Sequence, residues 1–369
     1  MGYSKRLRLK AYLVFVFLVG LPMVAFSLFA RSSARLRHKQ RGLFVITTDK
    51  GVYVLNPESR ELRRWILGHA FGIASGEMGT WYVSIYARQF SYVLKVRNTR
   101  RAWSLPHLFF WEPTMSRAGR IHQLDYHQDT VFIARSSTNS VLALDARTGE
   151  KRWERHVMVD ASGLPIRSDN NHINSVFALD NGVIFVLHTL GGGFSGLGIM
   201  DSERFTVWRL GESGAHDVIP VEQGFFWSNS FGTTSLDSQS PRQEPSLVWQ
   251  GFQGEWLELM PHTKFVRGVA VSKDWFVVGG SHHAKREKRL AGRGNLFLYR
   301  QSDEPLPDAQ SSVLDVPFAQ VYEILNFDSG CRHVGENRKI SISEMRENLR
   351  ALLGQEVASS TTTLLEASG

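Results

Sequence analysis

From Leu43 to about residue 327 the chain alternates short apolar runs rich in Val, Ile, Phe, Trp and Tyr with clusters of Gly, Asn, Asp and Ser. Before residue 340 no stretch sustains the spacing of an amphipathic helix. The pattern therefore predicts strands joined by tight turns. The runs group into a recurring unit: an inner strand, a turn carrying Asp or Gly, an apolar second strand, and a third strand ending near a Trp or a basic residue. Units open with FGIASGEMGTWYVSI at Phe71, HQLDYHQDTVFIA at His122, NSVFALDNGVIFV at Asn174, HDVIPVEQGFFWS at His216 and RGVAVSKDWFVVG at Arg267, with starts 51, 52, 42 and 51 residues apart. A period of about 40 to 50 residues with about four strands in each unit is the pattern of β-propeller blades.

Five units do not close a ring, and the ends of the region supply the rest. LFVITT, GVYVLN and ELRRWIL, within residues 43–67, read as three strands lacking an inner one, whereas VYEILNF at 321–327 reads as an inner strand without followers. Joined, they make a sixth blade built from both ends of the chain, which leaves no long unpaired edge. The expected fold is all-β, a six-bladed β-propeller over 43–327, and the even spacing favours it over a β-sandwich. Beyond it, residues 328–369 form a C-terminal extension in which SISEMRENLRALLG offers a short amphipathic helix capped by Ser343, followed by a loose tail.

Ahead of the propeller, residues 11–30 read AYLVFVFLVGLPMVAFSLFA without a charge. Twenty residues of helix span about 30 Å, the thickness of a bilayer's hydrocarbon. The run is longer than a signal peptide's apolar region, and Leu28-Phe29-Ala30 lacks the small residue that cleavage requires. The expectation is one uncleaved transmembrane anchor between a basic N-terminal segment, 1–10, and a basic linker, 31–42. Basic residues flank both sides nearly equally, so the positive-inside rule decides little. A basic start followed at once by an apolar run is the layout of secretion, which puts the N-terminus inside and the propeller in an extracytoplasmic space, periplasmic or lumenal.

The formal net charge of +8 changes meaning once it is located: residues 1–41 hold nine Lys or Arg and no acid, leaving 34 basic against 35 acidic residues beyond them. The folded part is close to neutral and lacks the broad basic surface that nucleic-acid binding needs. The single cysteine, Cys331, excludes an intramolecular disulfide and leaves the redox compartment open.

Inner strands line a propeller's channel, so equivalent positions on them identify a candidate site. Counting back nine residues from the first apolar residue of each second strand (Val131, Val183, Phe225, Phe276) reaches His122, Asn174, His216 and Arg267. Matching FGIA to RGVA adds Phe71, and matching YEI to HDV adds Tyr322. His172 lies two residues before Asn174, on the same face of an extended strand. Imidazoles, an amide, a phenol and a guanidinium converging on one channel end are costly to bury unpaired.

The expected ligand-binding set is therefore His122, His172, Asn174, His216, Arg267 and Tyr322. An anionic saccharide fits the guanidinium, in a binding or assembly module with a glycan or protein partner. Neutral imidazoles also suit a divalent metal at His122, His172 and His216, with Asp217 or Glu323 completing the site. The alternative is a metal-assisted lyase or lactonase-like hydrolase in which His216 or Tyr322 moves a proton while Arg267 neutralises an anion. A polar plug sealed by hydrogen bonds is the bland reading of the same residues.

No Ser nucleophile elbow, HExxH, Walker loop or dinucleotide fingerprint occurs, and GGGFSG at 191–196 reads as a strand connection. SHHAKREKRLAGRGN at 281–295 places Lys285, Arg286, Lys288, Arg289 and Arg293 in one connection, a run that can dock an anion or remain a solvated hairpin.

FVRGVAVSKDWFVVGGSHHAKREKR resembles the RGLAF…VGLS…RE segment of a family of uncharacterised bacterial propeller proteins, with Gly279-Gly280-Ser281 where that pattern has Gly-Leu-Ser. HINSV at 172–176 is similar to a HINDI-like opening in related proteins. The resemblance implies the propeller and no activity.

Overall fold

A computed structural model describes residues 42–87, 90–97, 106–113, 121–157, 173–190, 194–210, 214–230, 246–259, 265–281, 291–300, 311–327, 340–354 and 358–359. Six antiparallel sheets account for nearly all of them. Blade 1 holds β1 (Phe44–Thr48), β2 (Gly51–Asn56) and β3 (Glu61–Leu67); blade 2 runs β4 (His69–Ser75), β5 (Thr80–Ala87), β6 (Phe90–Arg97) and β7 (His107–Pro113). Blade 3 is β8 (Ile121–His127), β9 (Thr130–Arg135), β10 (Ser140–Asp145) and β11 (Lys151–His156), and blade 4 is β12 (Ile173–Leu179), β13 (Gly182–Leu190), β14 (Phe194–Asp201) and β15 (Phe205–Arg209). Blade 5 comprises β16 (Ala215–Val221), β17 (Gly224–Asn229), β18 (Ser246–Gly251) and β19 (Trp256–Leu259), and blade 6 comprises β20 (Phe265–Val271), β21 (Trp275–Ser281), β22 (Asn295–Arg300) and β23 (Ser311–Asp315). The last inner strand, β24 (Val321–Asn326), pairs with β1 and completes blade 1.

This is the expected six-bladed propeller, closed as expected. β24 and β1 pair antiparallel from Phe44↔Asn326 to Thr48↔Val321, so the chain enters and leaves the ring at one end of the sheet while Tyr322 stands at the other. The core is distributed over the seams. Six apolar clusters each fill the gap between two neighbouring blades, for example Val45, Trp65 and Leu325 of blade 1 against Ile73, Trp81 and Val83 of blade 2. This division follows from the sequence pattern: each middle strand is apolar on both faces because both are covered by adjacent blades.

The helix α1 (Ile342–Leu353) follows, and a two-residue strand β25 (Ala358–Ser359) adds to the outer edge of blade 4 through Val207 and Thr206. The helix begins two residues earlier than Ser343 implies. Ser341 is the N-cap, its Oγ accepting from the Glu344 backbone N–H at 3.1 Å. Ile342 is thereby drawn into the helix and buried with Met345 and Leu349 in the seam between blades 4 and 5. Among the described residues no helix is long and apolar enough to cross a membrane, and the segment 11–30 lies outside them.

Candidate functional site

All six inner strands break register at the channel position picked out in the sequence. Phe71 and Gly72 are the two residues opposite one in blade 2, His122 and Gln123 in blade 3, and Arg267 and Gly268 in blade 6. Asn174 and Tyr322 are the extra residues in blades 4 and 1, and in blade 5 the irregularity follows His216, at Asp217 and Val218. A bulge bends its strand and re-aims a side chain, and here it recurs around the ring.

The bulges free backbone N–H groups beside the axis, and the residue after each ring position supplies acceptors for them. These residues alternate: Glu323, Gln123 and Asp217 on blades 1, 3 and 5, with Gly72, Ser175 and Gly268 on blades 2, 4 and 6. Each long side chain reaches the next blade. Ile73 N–H donates to Glu323 Oε2 at 2.7 Å, Val176 N–H to Gln123 Oε1 at 2.9 Å, and Gly268 N–H to Asp217 Oδ2 at 2.8 Å. Gln123 Nε2 also donates to Asp217 Oδ1 at 3.1 Å, linking blade 3 to blade 5 past blade 4. The small residues leave room for neighbouring inner strands: a Cβ on Gly72 would lie 2.7 Å from the Leu124 nitrogen. Asp217 and Glu323 thus each hold a carboxylate oxygen against a backbone N–H of the next blade.

The six ring residues come together as a chain of contacts. His122 lies 5.3 Å from Phe71 between ring centroids, Phe71 lies 4.4 Å from Tyr322, and the Arg267 guanidinium stands 5.4 Å from the Tyr322 ring and 5.7 Å from the Phe265 ring. Phe265 meets His216 at 5.7 Å, and Asn174 Nδ2 lies 2.8 Å from His216 Nδ1.

Burial divides the set. Phe71 (2%), His216 (3%), Asn174 (5%), His122 (7%) and Tyr322 (7%) form a closed floor. Arg267 remains partly exposed at the lip. His69 and His188, absent from the sequence-derived set, join it there, both partly exposed. His69 stacks on Phe71 at 4.6 Å and bonds Tyr322 Oη through Nε2 at 2.8 Å, while His188 Nδ1 lies 2.8 Å from Asn174 Nδ2. Tyr322 Oη in turn donates to Gln320 Oε1 at 2.7 Å. His69, Phe265 and Gln320 precede their ring residues by two, the offset that relates His172 to Asn174. Applying that offset to every unit would have found them. Asn174 Oδ1 is buried without a partner among the described residues, an acceptor facing unmet demand.

His172, Lys285, Arg286, Lys288 and Arg289 lie outside the described residues. Among the described residues no group of three or more His, Cys, Asp or Glu is arranged to hold a metal ion.

The geometry is that of a polar-aromatic well closing one end of a propeller channel. No protein-family model matches the chain, and no characterised protein matches it in sequence. Solved structures do. The nidogen/laminin complex contains a chain that overlays with a TM-score of 0.52 and 6% identity, over 76% of this chain and 97% of that one. A protein of unknown function from Bacteroides caccae overlays at 0.50 and 9%, over 77% and 98%. A candidate 6-phosphogluconolactonase from Bacteroides fragilis reaches 0.45 and 11%, over 77% and 98%, too low a score to bear on activity. At these identities the likeness concerns the fold alone.

Proposed function

We propose that this propeller is a binding module that receives an anionic saccharide at the lip around Arg267, with residues 11–30 tethering it to a membrane from an extracytoplasmic side. The observation that carries the reading is the environment of Arg267: a partly exposed guanidinium held between the rings of Tyr322 and Phe265, above a buried polar-aromatic floor. A guanidinium presents paired donors to a carboxylate or sulfate, and the partly exposed imidazoles of His69 and His188 add hydrogen-bonding groups for a sugar's hydroxyls. The tether would enter at the end of blade 1 opposite Tyr322, so the well would face away from the membrane. A protein carrying an acidic glycan is the corresponding partner for an assembly role.

Calorimetric titration with a uronic-acid oligosaccharide and with its neutral counterpart tests this. Binding of the acidic sugar alone, abolished by Arg267→Ala, is expected; equal binding of both sugars, or none, would overturn it. The hydrogen bond between Tyr322 and His69 favours a second reading, acid–base chemistry on the same ligand. In a lyase of this kind the His69 imidazole would take the proton from the carbon beside the carboxylate, a C=C bond would form as the C–O bond breaks, and the Tyr322 hydroxyl would give its proton to the departing oxygen. Ultraviolet absorbance of an unsaturated product distinguishes turnover from binding. The metal-assisted form of this alternative has no support among the described residues.

A further inference from the structure

We infer that the seam between blades 6 and 1 holds a second site, separate from the channel well, for a compact organic anion with an apolar body. A cavity of about 450 Å³ opens there, lined by Lys50, Arg293, Asp315, Val316, Phe318 and Ala319 among others. That volume lies within the usual range of small-molecule sites, about 300 to 1,000 Å³. It sits on the same face as the well, since Ala319 is three residues before Tyr322, or about 10 Å of extended chain.

The composition of the walls defines the ligand. Val316, Phe318 and Ala319 are buried and make an apolar floor. Lys50 and Arg293 bring two cations to the rim, against one acid, Asp315, whose Oδ1 accepts from Asn295 Nδ2 at 2.6 Å. Lys50 Nζ reaches the buried Asp49 carboxylate only at 3.8 Å, and its side chain is 59% exposed, so it stays available to an anion.

The walls are fixed before any ligand arrives. Asp49 Oδ1 accepts from the Ala319 and Gln320 N–H groups, each at 2.9 Å, and Gly294 N–H donates to Phe318 O at 2.8 Å. Gly294 permits that approach, because a Cβ there would lie 3.0 Å from Phe318 O. Gly292 and Arg293 belong to the connection that leads into β22 and line the cavity directly.

The test uses 8-anilinonaphthalene-1-sulfonate, an anion on an aromatic body, titrated calorimetrically into the full chain. One saturable site is expected, weakening as NaCl rises. In Lys50→Glu/Arg293→Glu, whose exposed positions leave the fold intact by melting temperature, affinity should fall at least about tenfold, because two attractive contacts become repulsive. Arg267→Ala should leave it unchanged. Wild-type affinity in the double variant, no binding at all, or loss of binding in Arg267→Ala would each overturn the assignment, the last by placing the probe in the well.

Discussion

The hydroxyl of Tyr322 lies 2.8 Å from Nε2 of His69, joining the last inner strand of the ring to the first residue of β4. The bond spans the seam between blade 1, which strands from both ends of the chain close, and blade 2. It also anchors the aromatic stack of His69, Phe71 and Tyr322. Tyr322→Phe keeps the ring and removes the bonds to both His69 and Gln320, so a loss of about 1 to 2 kcal/mol in urea unfolding is expected. His69→Ala should cost more through lost stacking. The double variant should fall short of the sum, and strict additivity would show that the two residues are not coupled.

The alternation along the channel makes opposite predictions for two small residues. Gly72→Ala puts a methyl against the backbone of Gln123 and Leu124, which cannot move without opening the ring, so destabilisation beyond about 2 kcal/mol is expected. Ser175→Ala, at the equivalent position on blade 4, removes a buried hydroxyl that has no partner among the described residues. Its stability should be unchanged or raised by up to about 1 kcal/mol. Equal losses in the two variants, measured by chemical denaturation, would refute the alternation.

Asp217 takes φ +53° while buried, a conformation in which a residue other than Gly, Asn or Asp is strained. Its carboxylate accepts from Gly268 N–H, Ser228 Oγ and Gln123 Nε2. Asp217→Asn keeps the backbone preference yet turns one acceptor into a donor that faces donors. Thermal and urea unfolding should register about 2 to 3 kcal/mol, and an unperturbed variant would mean that the acceptor network is dispensable.

Alkali should loosen the ring in a defined window. Burial pushes the Tyr299 hydroxyl up to about 12 and also raises Tyr82, whose Oη donates to Ala146 O at 2.9 Å. A folded value above the unfolded one of about 10 means that the stabilisation is complete below pH 10 and is lost as pH climbs from 10 toward 12. The urea midpoint should fall over that interval, less steeply in Tyr299→Phe. A midpoint independent of pH there would contradict the burial argument.

Much of this architecture is legible in the sequence. Blade boundaries followed from the spacing of paired apolar runs, and the closing pair followed from a surplus of second, third and fourth strands at one end and an inner strand at the other. Phe71, His122, Asn174, His216, Arg267 and Tyr322 were found because equivalent positions in repeats become neighbours around an axis. His188 escaped because it sits on a second strand, and its approach to Asn174 depends on the bulge at that residue, which no local pattern announces. His69 was within reach of the two-residue offset already applied to His172. The backbone partners of Asp217 and Glu323 were not legible, because the bulges that expose the Ile73 and Gly268 N–H groups leave no local sequence signal. The helix cap moved to Ser341 because burial of Ile342 outweighed the choice between two serines.

The most direct test of the proposed function is a crystal structure of the protein with a uronic-acid trisaccharide diffused into the lattice. The account predicts a carboxylate within hydrogen-bonding distance of the Arg267 guanidinium and a sugar hydroxyl within reach of His69 or His188. Sugar bound elsewhere on the propeller with Arg267 untouched, or a well left without sugar at saturating concentration, would contradict it.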